Sequence, residues 1–371
     1  MYRLFRGATT GLAITLLVGP VTATAQQVPT VRLERPSTAF EEPFTDIIGL
    51  VELSGGRVLV GDGRERRLMM LGPAASEAAA LGRLGAGPRE FRAIGSLLPR
   101  PGGGAFVTDF ALRRLLPVGD DGTLLDVLSY PVSPNIIIRG ADARGRVYGD
   151  VFGKMQQGNF PDSMTIVRWD PAGGKIDSLM KYNGGWSTRV VPAGSVRQVY
   201  LPYDTWVLFP ESEIALLEAG TYKVGFWEEG RQLRSSMVPW TPIRITKAEE
   251  DAWHAEQAGQ RPVTLGQPGA TPSGQRSRPN VAFAPTMPVF DDERVRAAPD
   301  RKIWVGRLRA GSDSVPMYDV LDDQGRLLAR VLLPVGATVV GFGRGVVYLA
   351  EKNENDELFV RRYPRPAFPR Q

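Results

Sequence analysis

The residue types that could carry catalytic chemistry are few in this chain. The sequence has one histidine, His254, and no cysteine. Thiolate zinc sites, cysteine nucleophiles and cages of several histidines are therefore excluded, and a Ser-His-Asp triad would depend on His254 alone. Thr246 and Glu249 form a capping-box pattern, which predicts a short polar helix that leaves His254 in solvent. We predict no catalytic residue, and this favours a binding protein while leaving catalysis open.

Aromatic and basic side chains are concentrated in an irregular stretch rich in glycine and proline, between residues 182 and 206. Aromatic rings add contact area at a small entropic cost, and arginines can contact anions. We therefore predict a binding surface made of six residues: Trp186, Arg189, Arg197, Tyr200, Tyr203 and Trp206. Trp186 and Trp206 should then be at least partly exposed. The alternative is that these rings fill the space between neighbouring sheets.

Acidic residues are plentiful, but none stands in a complete metal-binding motif. Asp120-Asp121-Gly122 and Asp322-Asp323-Gln324-Gly325 resemble fragments of a calcium loop, yet both lack its later glutamate and its spacing. Asp and Gly between two apolar segments are typical of hairpin turns, which is the interpretation we prefer. No cofactor is predicted. The alternative is one divalent cation such as calcium, bound by channel oxygens in a lactonase-like hydrolase.

A repeated unit positions all of these residues. A short apolar segment ending at an acidic residue recurs, with Arg307 replacing the acid once, and the six end positions are Asp62, Asp109, Asp150, Glu218, Arg307 and Glu351. Their spacings are 47, 41, 68, 89 and 44 residues. Three of these values match the length of one propeller blade. A hairpin signal of the Asp-Gly type follows in several copies.

These repeats predict an all-β fold, a six-bladed β-propeller with four-stranded antiparallel blades and one short helical insertion. A β-sandwich is the alternative, but it would not produce six copies of one unit. Residues 28–35 alternate between apolar and polar types, and we predict that they pair with the last strand, residues 358–363, to close the ring. The predicted propeller domain spans residues 26–371.

The longest spacing contains an insertion, residues 241–286, which we predict to be the capped helix followed by a flexible loop. Residues 262–280 carry only Val263 and Leu265 as large apolar side chains, so burial offsets little of the entropy of ordering. The insertion is either passive or a cover over one face of the ring.

The first 25 residues have the features of a signal peptide. Arg3 and Arg6 precede an apolar run, and Ala23-Thr24-Ala25 forms a small-residue cleavage site. The run is too short to span a bilayer, so a retained anchor is the weaker alternative. We predict a periplasmic or secreted protein with no membrane span after cleavage.

Charge and composition give little indication of the partner. Basic residues are scattered rather than clustered among aromatics, so we predict no nucleic-acid binding. The expected partner is an unknown protein or a small-molecule ligand, and the expected state is a monomer.

One segment has a more specific pattern. Gly82-Arg83-Leu84-Gly85-Ala86-Gly87-Pro88-Arg89-Glu90-Phe91 precedes Phe106-Val107-Thr108-Asp109 and Arg114-Leu115. This arrangement resembles the NHL-type repeat of six-bladed β-propellers, and the chain is most similar to exported bacterial propellers of unknown function. The resemblance covers the layout of residues 40–365 and about 40 residues in detail. It implies that Asp62, Arg67, Asp109 and Arg114 are framework residues of the blades.

Overall fold

Six antiparallel sheets form a ring in this computed structural model, which describes residues 28–131, 135–154, 161–185, 196–259 and 280–368. The first strand of each sheet contacts the first strand of the next sheet, all the way round. This is the arrangement of a six-bladed propeller with its innermost strands around a central channel. The predicted fold class is confirmed.

The strands are numbered along the chain. Two N-terminal strands precede the first blade: β1 (Thr30–Arg32) and β2 (Thr38–Phe44). Blade 1 contains four strands: β3 (Ile47–Glu52), β4 (Val58–Asp62), β5 (Arg67–Leu71) and β6 (Ala78–Ala80). A short parallel pair follows it: β7 (Arg83–Leu84) and β8 (Glu90–Phe91). Blade 2 contains β9 (Ile94–Pro99), β10 (Ala105–Asp109), β11 (Arg114–Val118) and β12 (Leu128–Ser129).

Blades 3 and 4 are separated by a further short strand. Blade 3 contains β13 (Ile136–Ala141), β14 (Val147–Phe152), β15 (Ser163–Trp169) and β16 (Ile176–Asn183). The strand between the blades is β17 (Arg197–Val199). Blade 4 contains β18 (Thr205–Leu208), β19 (Ile214–Glu218), β20 (Lys223–Glu228) and β21 (Arg231–Met237).

Helix α1 (Lys247–Gly259) and strand β22 (Val281–Phe283) lie between blades 4 and 5. Blade 5 contains β23 (Phe290–Ala297), β24 (Ile303–Arg307), β25 (Met317–Leu321) and β26 (Leu327–Leu332). Blade 6 contains β27 (Thr338–Gly343), β28 (Val346–Lys352) and β29 (Leu358–Pro364). The helix predicted from the capping box is confirmed, with the Thr246 N–H donating to Glu249 Oε2 at 2.9 Å.

The hydrophobic core is divided among the spaces between neighbouring blades. Six clusters of buried residues occur in the described chain, one at each blade interface. In β4, Leu59 packs toward blade 2, whereas Val58 and Val60 pack toward blade 6. Because both faces of such a strand are buried, its sequence is continuously apolar rather than alternating. This is why the repeated segments read as short apolar runs.

The acidic residues that end the second strands are framework groups, as the repeat predicted. Asp62 accepts backbone N–H bonds from Thr45, Arg64 and Glu65. Asp109 does the same with Arg92, Ala93 and Leu112. Each carboxylate thereby satisfies the N–H groups of two adjoining turns where the chain enters the blade. The repetition of this bonding shows that these acids stabilise the fold.

Blade 5 has an ion pair in a different arrangement. Arg307 occupies the usual acidic position, and its Nη1 lies 2.6 Å from Asp319 Oδ2 on the neighbouring strand β25. The Tyr222 hydroxyl of blade 4 donates to the same oxygen at 2.9 Å, and Arg330 Nε lies 3.6 Å from Oδ1. Asp319 is completely buried. The acid has therefore moved to the adjacent strand, where it also links two blades.

The glycine-rich segment before blade 2 is held by Arg114. This side chain donates to the carbonyl oxygens of Gly87 at 2.9 Å and Glu90 at 2.6 Å, and Phe91 is buried in the core between blades 1 and 2. A guanidinium group supplies several donors in a fixed plane, so one arginine can bind successive carbonyls of a turn. The framework role expected for Arg114 is confirmed.

The ring is closed by a different N-terminal segment from the one predicted. Strand β2 pairs with β29, with Thr38 opposite Arg362 and Phe44 opposite Leu358. Residues 28–35 instead contain β1, which runs parallel to β26 and adds a fifth strand to blade 5. The prediction that residues 28–35 pair with residues 358–363 was therefore wrong, although both N-terminal segments are strands.

Both fragments that resembled calcium loops are turns. Asp121 Oδ1 accepts the Thr123 N–H at 3.0 Å, and Asp322 Oδ1 accepts the N–H groups of Gln324 and Arg326. These carboxylates close their own hairpins, as predicted from the Asp-Gly spacing.

The predicted signal peptide lies outside the described residues, as does 260–279, most of the predicted flexible loop. Within the described ranges, no helix is long and apolar enough to cross a membrane.

Candidate functional site on the insert-bearing face

The long connections of the propeller emerge on one face. In a four-stranded meander, the connection between blades and the connection from the second to the third strand leave at the same end, because successive strands alternate in direction. The five longest connections of these two kinds are residues 184–204, 238–289, 81–93, 153–162 and 308–316. Four of them belong to blades 3, 4 and 5, and the other, 81–93, joins blades 1 and 2. We call this side the insert-bearing face.

Two of these insertions are joined by backbone hydrogen bonds. Strand β17, from the connection between blades 3 and 4, pairs in parallel with β22, from the connection between blades 4 and 5. The pairing is extended at both ends. The Arg197 N–H donates to the Asn280 carbonyl at 2.9 Å, and the Ala284 N–H donates to the Val199 carbonyl at 3.0 Å. We call β17, β22 and α1 together the insert layer.

Aromatic rings hold the helix in this layer. Phe283 lies 5.6 Å from Trp253 and 5.8 Å from His254, measured between ring centroids, and both contacts are edge-to-face. Tyr200 lies 6.1 Å from Phe283 on its other side. Such pairs contribute about 0.5–1.5 kcal/mol each beyond the area that they bury. His254 is thus half-buried against aromatic rings, and the expectation of a solvent-exposed histidine was wrong.

The helix also contacts a third insertion, in blade 5. A Cβ atom placed on Gly311 would lie only 2.7 Å from the Ala252 Cβ, so the connection 308–316 passes directly against α1. The absence of a side chain at Gly311 allows this close approach. The described parts of three insertions are therefore packed together as one ordered surface.

The six residues of the predicted binding surface lie in different environments. Trp186 and Arg189 lie outside the described residues. Arg197 is exposed on β17, Tyr200 is half-buried in the insert layer, and Tyr203 is half-buried against Gly185.

Trp206 is the exception. It is 2% exposed on the innermost strand of blade 4, so the expectation that it would be partly exposed was wrong.

Trp206 belongs to a polar network between blades 3 and 4. Its indole N–H donates to Asp150 Oδ1 at 2.8 Å, and the Arg139 guanidinium stacks on its ring at 4.7 Å. Arg139 also donates to Asp150 Oδ2 at 3.2 Å and to Thr205 Oγ1 at 2.8 Å. Burial opposes the charge of Arg139, but Asp150 and Tyr182 outweigh it, so the pKa of this guanidinium is raised. This network joins two blades.

The connection that carries Tyr200 and Tyr203 ends at Asp204, a residue that sequence reasoning missed. Asp204 immediately precedes the innermost strand of blade 4, and its carboxylate accepts the Ala219 N–H at 3.1 Å. Its own N–H donates to the carbonyl of Asn183 at 3.2 Å. Gly185 has a positive φ of 65°, and a Cβ there would lie 2.0 Å from Tyr203 Cδ1. Tyr203 and Asp204 are therefore held against the end of blade 3.

The ionised form of the Asp204 carboxyl is unfavourable in this environment. Burial raises the pKa of Asp204 to about 6, the Ala219 N–H partly opposes this, and the nearby Glu218 carboxylate raises it further. Titratable groups perturbed in this way are concentrated at functional sites. No motif in the sequence marks Asp204, because its environment depends on how blades 3 and 4 meet.

The Asp204→Asn variant is expected to be more stable than the wild-type protein at pH 8. The folded-state pKa of Asp204 lies above its unfolded value, so its protonation favours folding below about pH 4, and this contribution is lost as the pH rises through 6. Asparagine carries no charge, and its side-chain oxygen can still accept the Ala219 N–H. Because this carboxyl is only half-buried, solvent screening reduces the effect, and urea unfolding should show a gain of about 1–2 kcal/mol at pH 8 and a smaller one at pH 4.5. A gain that does not change with pH would contradict this environment for Asp204.

Among the residues that the structure describes, no three His, Asp or Glu side chains come close enough to share a metal ion. The divalent cation of the alternative interpretation stays a prediction.

Comparison with known proteins gives the fold and no closer relationship. No protein-family model matches the chain, and no curated protein matches it in sequence. A Bacteroides fragilis protein predicted to be exported is 10% identical with a TM-score of 0.52, over 91% of this chain and 99% of that one. The likeness is one of fold.

Two further solved structures are more distant. A member of the DUF4221 family from Bacteroides vulgatus is 10% identical with a TM-score of 0.48, over 90% of this chain and 98% of that chain. A gluconolactonase from Xanthomonas campestris is 9% identical with a TM-score of 0.44, over 90% and 94%. The resemblance to NHL-type repeats stays a prediction.

Proposed function

We propose that this protein is an exported β-propeller of the NHL-like type that binds a ligand on its insert-bearing face, at the connection between blades 3 and 4. The observation that supports this most is Asp204, a carboxyl with a raised pKa at the inner end of that connection. Asparagine would make the same hydrogen bond at a lower cost in stability. Groups that lower stability are commonly retained where function requires them.

The chemistry around Asp204 favours a ligand with a positively charged group. An organic ammonium would stabilise the ionised form of Asp204, and the Tyr200 and Tyr203 rings in the same connection offer aromatic faces for such a cation. The exposed Arg197 on β17 would contact an acidic group of the same ligand. The ordered insert layer supplies the rigid support that a binding surface needs.

Thermal-shift measurements with choline, putrescine and lysine test this proposal. Binding to folded protein raises the melting temperature by mass action. We expect at least one of these cations to raise it at pH 7.5, where Asp204 is ionised, and to raise it less at pH 5. The Asp204→Asn variant should show no such shift. If none of the three cations stabilises the wild-type protein, or if the variant responds equally, the proposed site is wrong.

The alternative function, a metal-dependent hydrolase of the lactonase type, is distinguished by an activity assay. Hydrolysis of gluconolactone that requires calcium and is lost with a chelator would support the enzyme and contradict a purely binding role. The proposed export is tested by expression in a bacterium, where periplasmic protein should begin at Gln26 after cleavage.

A further inference from the structure

We propose that a cleft at the outer rim, between blades 2 and 3, is a second ligand site that binds a small amphipathic anion. The ligand would be a carboxylate attached to an apolar body. The cleft has a volume of about 600 Å³, which lies in the range of small-molecule sites. It is independent of the surface around Asp204.

The cleft exists because the outer strand of blade 2 is cut short. Strand β12 pairs with β11 over only two positions, Leu115 with Leu128 and Arg114 with Ser129. Pro117, further along β11, has no N–H to continue the ladder. Before β12, the chain bonds to β11 at Leu125, whose N–H donates to the Pro117 carbonyl at 2.9 Å. The segment between Leu125 and Leu128 leaves the sheet, and this opens the cleft.

The interior of the cleft is apolar. Phe106 and Pro117 are cross-strand partners on β10 and β11, and both line it. Leu125 and Leu128 also line the cleft, and each is 37% exposed. These are two of the few large aliphatic side chains left in solvent among the described residues. A ligand that covered both would be stabilised by the removal of their apolar surface from water.

The rim of the cleft is positively charged. Three arginines line it, Arg89, Arg100 and Arg144, whereas Asp126 is the only acid that does so. Arg100 is half-buried, Arg89 and Arg144 are exposed, and none of the three forms an ion pair with a carboxylate of the described residues. The lining thus carries a net charge of +2 beside an apolar floor. A carboxylate with an apolar body matches both features.

The hairpin that presents Arg144 is ordered. Asp142 Oδ1 accepts the N–H groups of Arg144 and Arg146, each at 3.0 Å. Gly145 adopts a positive φ of 82° in this turn, and a Cβ there would lie 3.6 Å from Pro101 Cγ, so the hairpins of blades 2 and 3 pack together. Arg100 and Arg144 therefore lie on neighbouring, mutually supported turns. The backbone positions of both arginines are therefore fixed at the cleft before a ligand binds, and Arg100 Nε also donates to the Gly103 carbonyl at 3.4 Å.

Decanoate, below its micelle-forming concentration, is a suitable probe for isothermal titration calorimetry with the full chain. Acetate tests the contribution of the tail, and decyltrimethylammonium tests that of the charge. We expect decanoate to bind the wild-type protein with one site, and the two control compounds to bind at least tenfold more weakly. Substitution of Arg100→Gln or Arg144→Gln should each weaken decanoate binding about tenfold. Arg231→Gln, an exposed arginine of blade 4, is the matched control and should have no effect.

Three outcomes would contradict the proposed site. Absence of decanoate binding, equal binding of decyltrimethylammonium, or equal loss of binding in Arg231→Gln would overturn the proposal. Thermal unfolding of each variant establishes that it is folded. Asp204→Asn should bind decanoate normally, so failure of the surface around Asp204 and failure of this cleft are distinguishable.

Discussion

A chain that begins at Asp46, and so lacks both N-terminal strands, is expected to lose most of its folding stability. Strand β2 supplies Phe40 and Phe44, which are 1% and 2% exposed, to the interface between blades 6 and 1. Each such side chain contributes about 1.5–3 kcal/mol by burial, and a whole domain is stable by only about 5–15 kcal/mol. Thermal unfolding should show a melting temperature lower by at least about 10 °C, or no cooperative transition.

The matched control for this truncation is a chain that begins at Ser37. It loses β1 and the buried Leu33 but keeps β2. Because β1 only adds a fifth strand to blade 5, its removal should cost about 2–3 kcal/mol and leave the ring closed. Equal melting temperatures for the two truncated chains would show that β2 does not close the ring.

Replacement of Asp319 by alanine is expected to be the most destabilising single change in blade 5. It leaves the Arg307 guanidinium, which is only 9% exposed, without its carboxylate, and it removes the acceptor of the buried Tyr222 hydroxyl. Breaking a buried ion pair on one side typically costs about 3–5 kcal/mol. Urea unfolding followed by circular dichroism measures the loss.

The neighbouring Asp323 provides the control for this substitution. Its side chain is 48% exposed and lies 4.0 Å from Arg301, so Asp323→Ala should change the free energy of unfolding by less than about 1 kcal/mol. The double variant Arg307→Met, Asp319→Leu should recover part of the loss, because no buried charge is left unpaired; Arg330, which also lies near Asp319, is 40% exposed and stays hydrated. A cost below about 1 kcal/mol for Asp319→Ala would contradict the role of Asp319 as the partner of Arg307 and as the link to Tyr222 of blade 4.

The sequence predicted the repeating framework because blades 1 and 2 share the same local requirement. An acid that ends the second strand caps nearby N–H groups in blades 1 and 2, so Asp62 and Asp109 could be recognised from their positions alone. The strand that closes the ring, β2, was not predicted, and the reason is local. Strand β2 contains Pro43, which normally argues against a strand, whereas the residues of β1 alternate cleanly. Pro43 is tolerated because it lies at a register shift on an outer edge.

The functional surface was only partly predictable, because side-chain direction and burial depend on how blades meet. Trp206 was grouped with Tyr200 and Tyr203 by nearness in sequence, yet it lies on a blade strand and bonds to Asp150. Asp204, two residues before it, has no distinguishing neighbour in the sequence, and its raised pKa arises from burial beside Glu218. Composition indicates which residue types are available in a loop. It does not indicate which of them the fold buries.

Amide hydrogen exchange, with and without the most stabilising of choline, putrescine and lysine at pH 7.5, tests the proposed binding face most directly. Ligand binding around Asp204 should slow exchange in residues 197–205 and in the insert layer, while the hairpins on the opposite face, such as residues 99–105 and 141–147, remain unchanged. Protection confined to those opposite hairpins, or no protection anywhere, would contradict a binding function on the insert-bearing face.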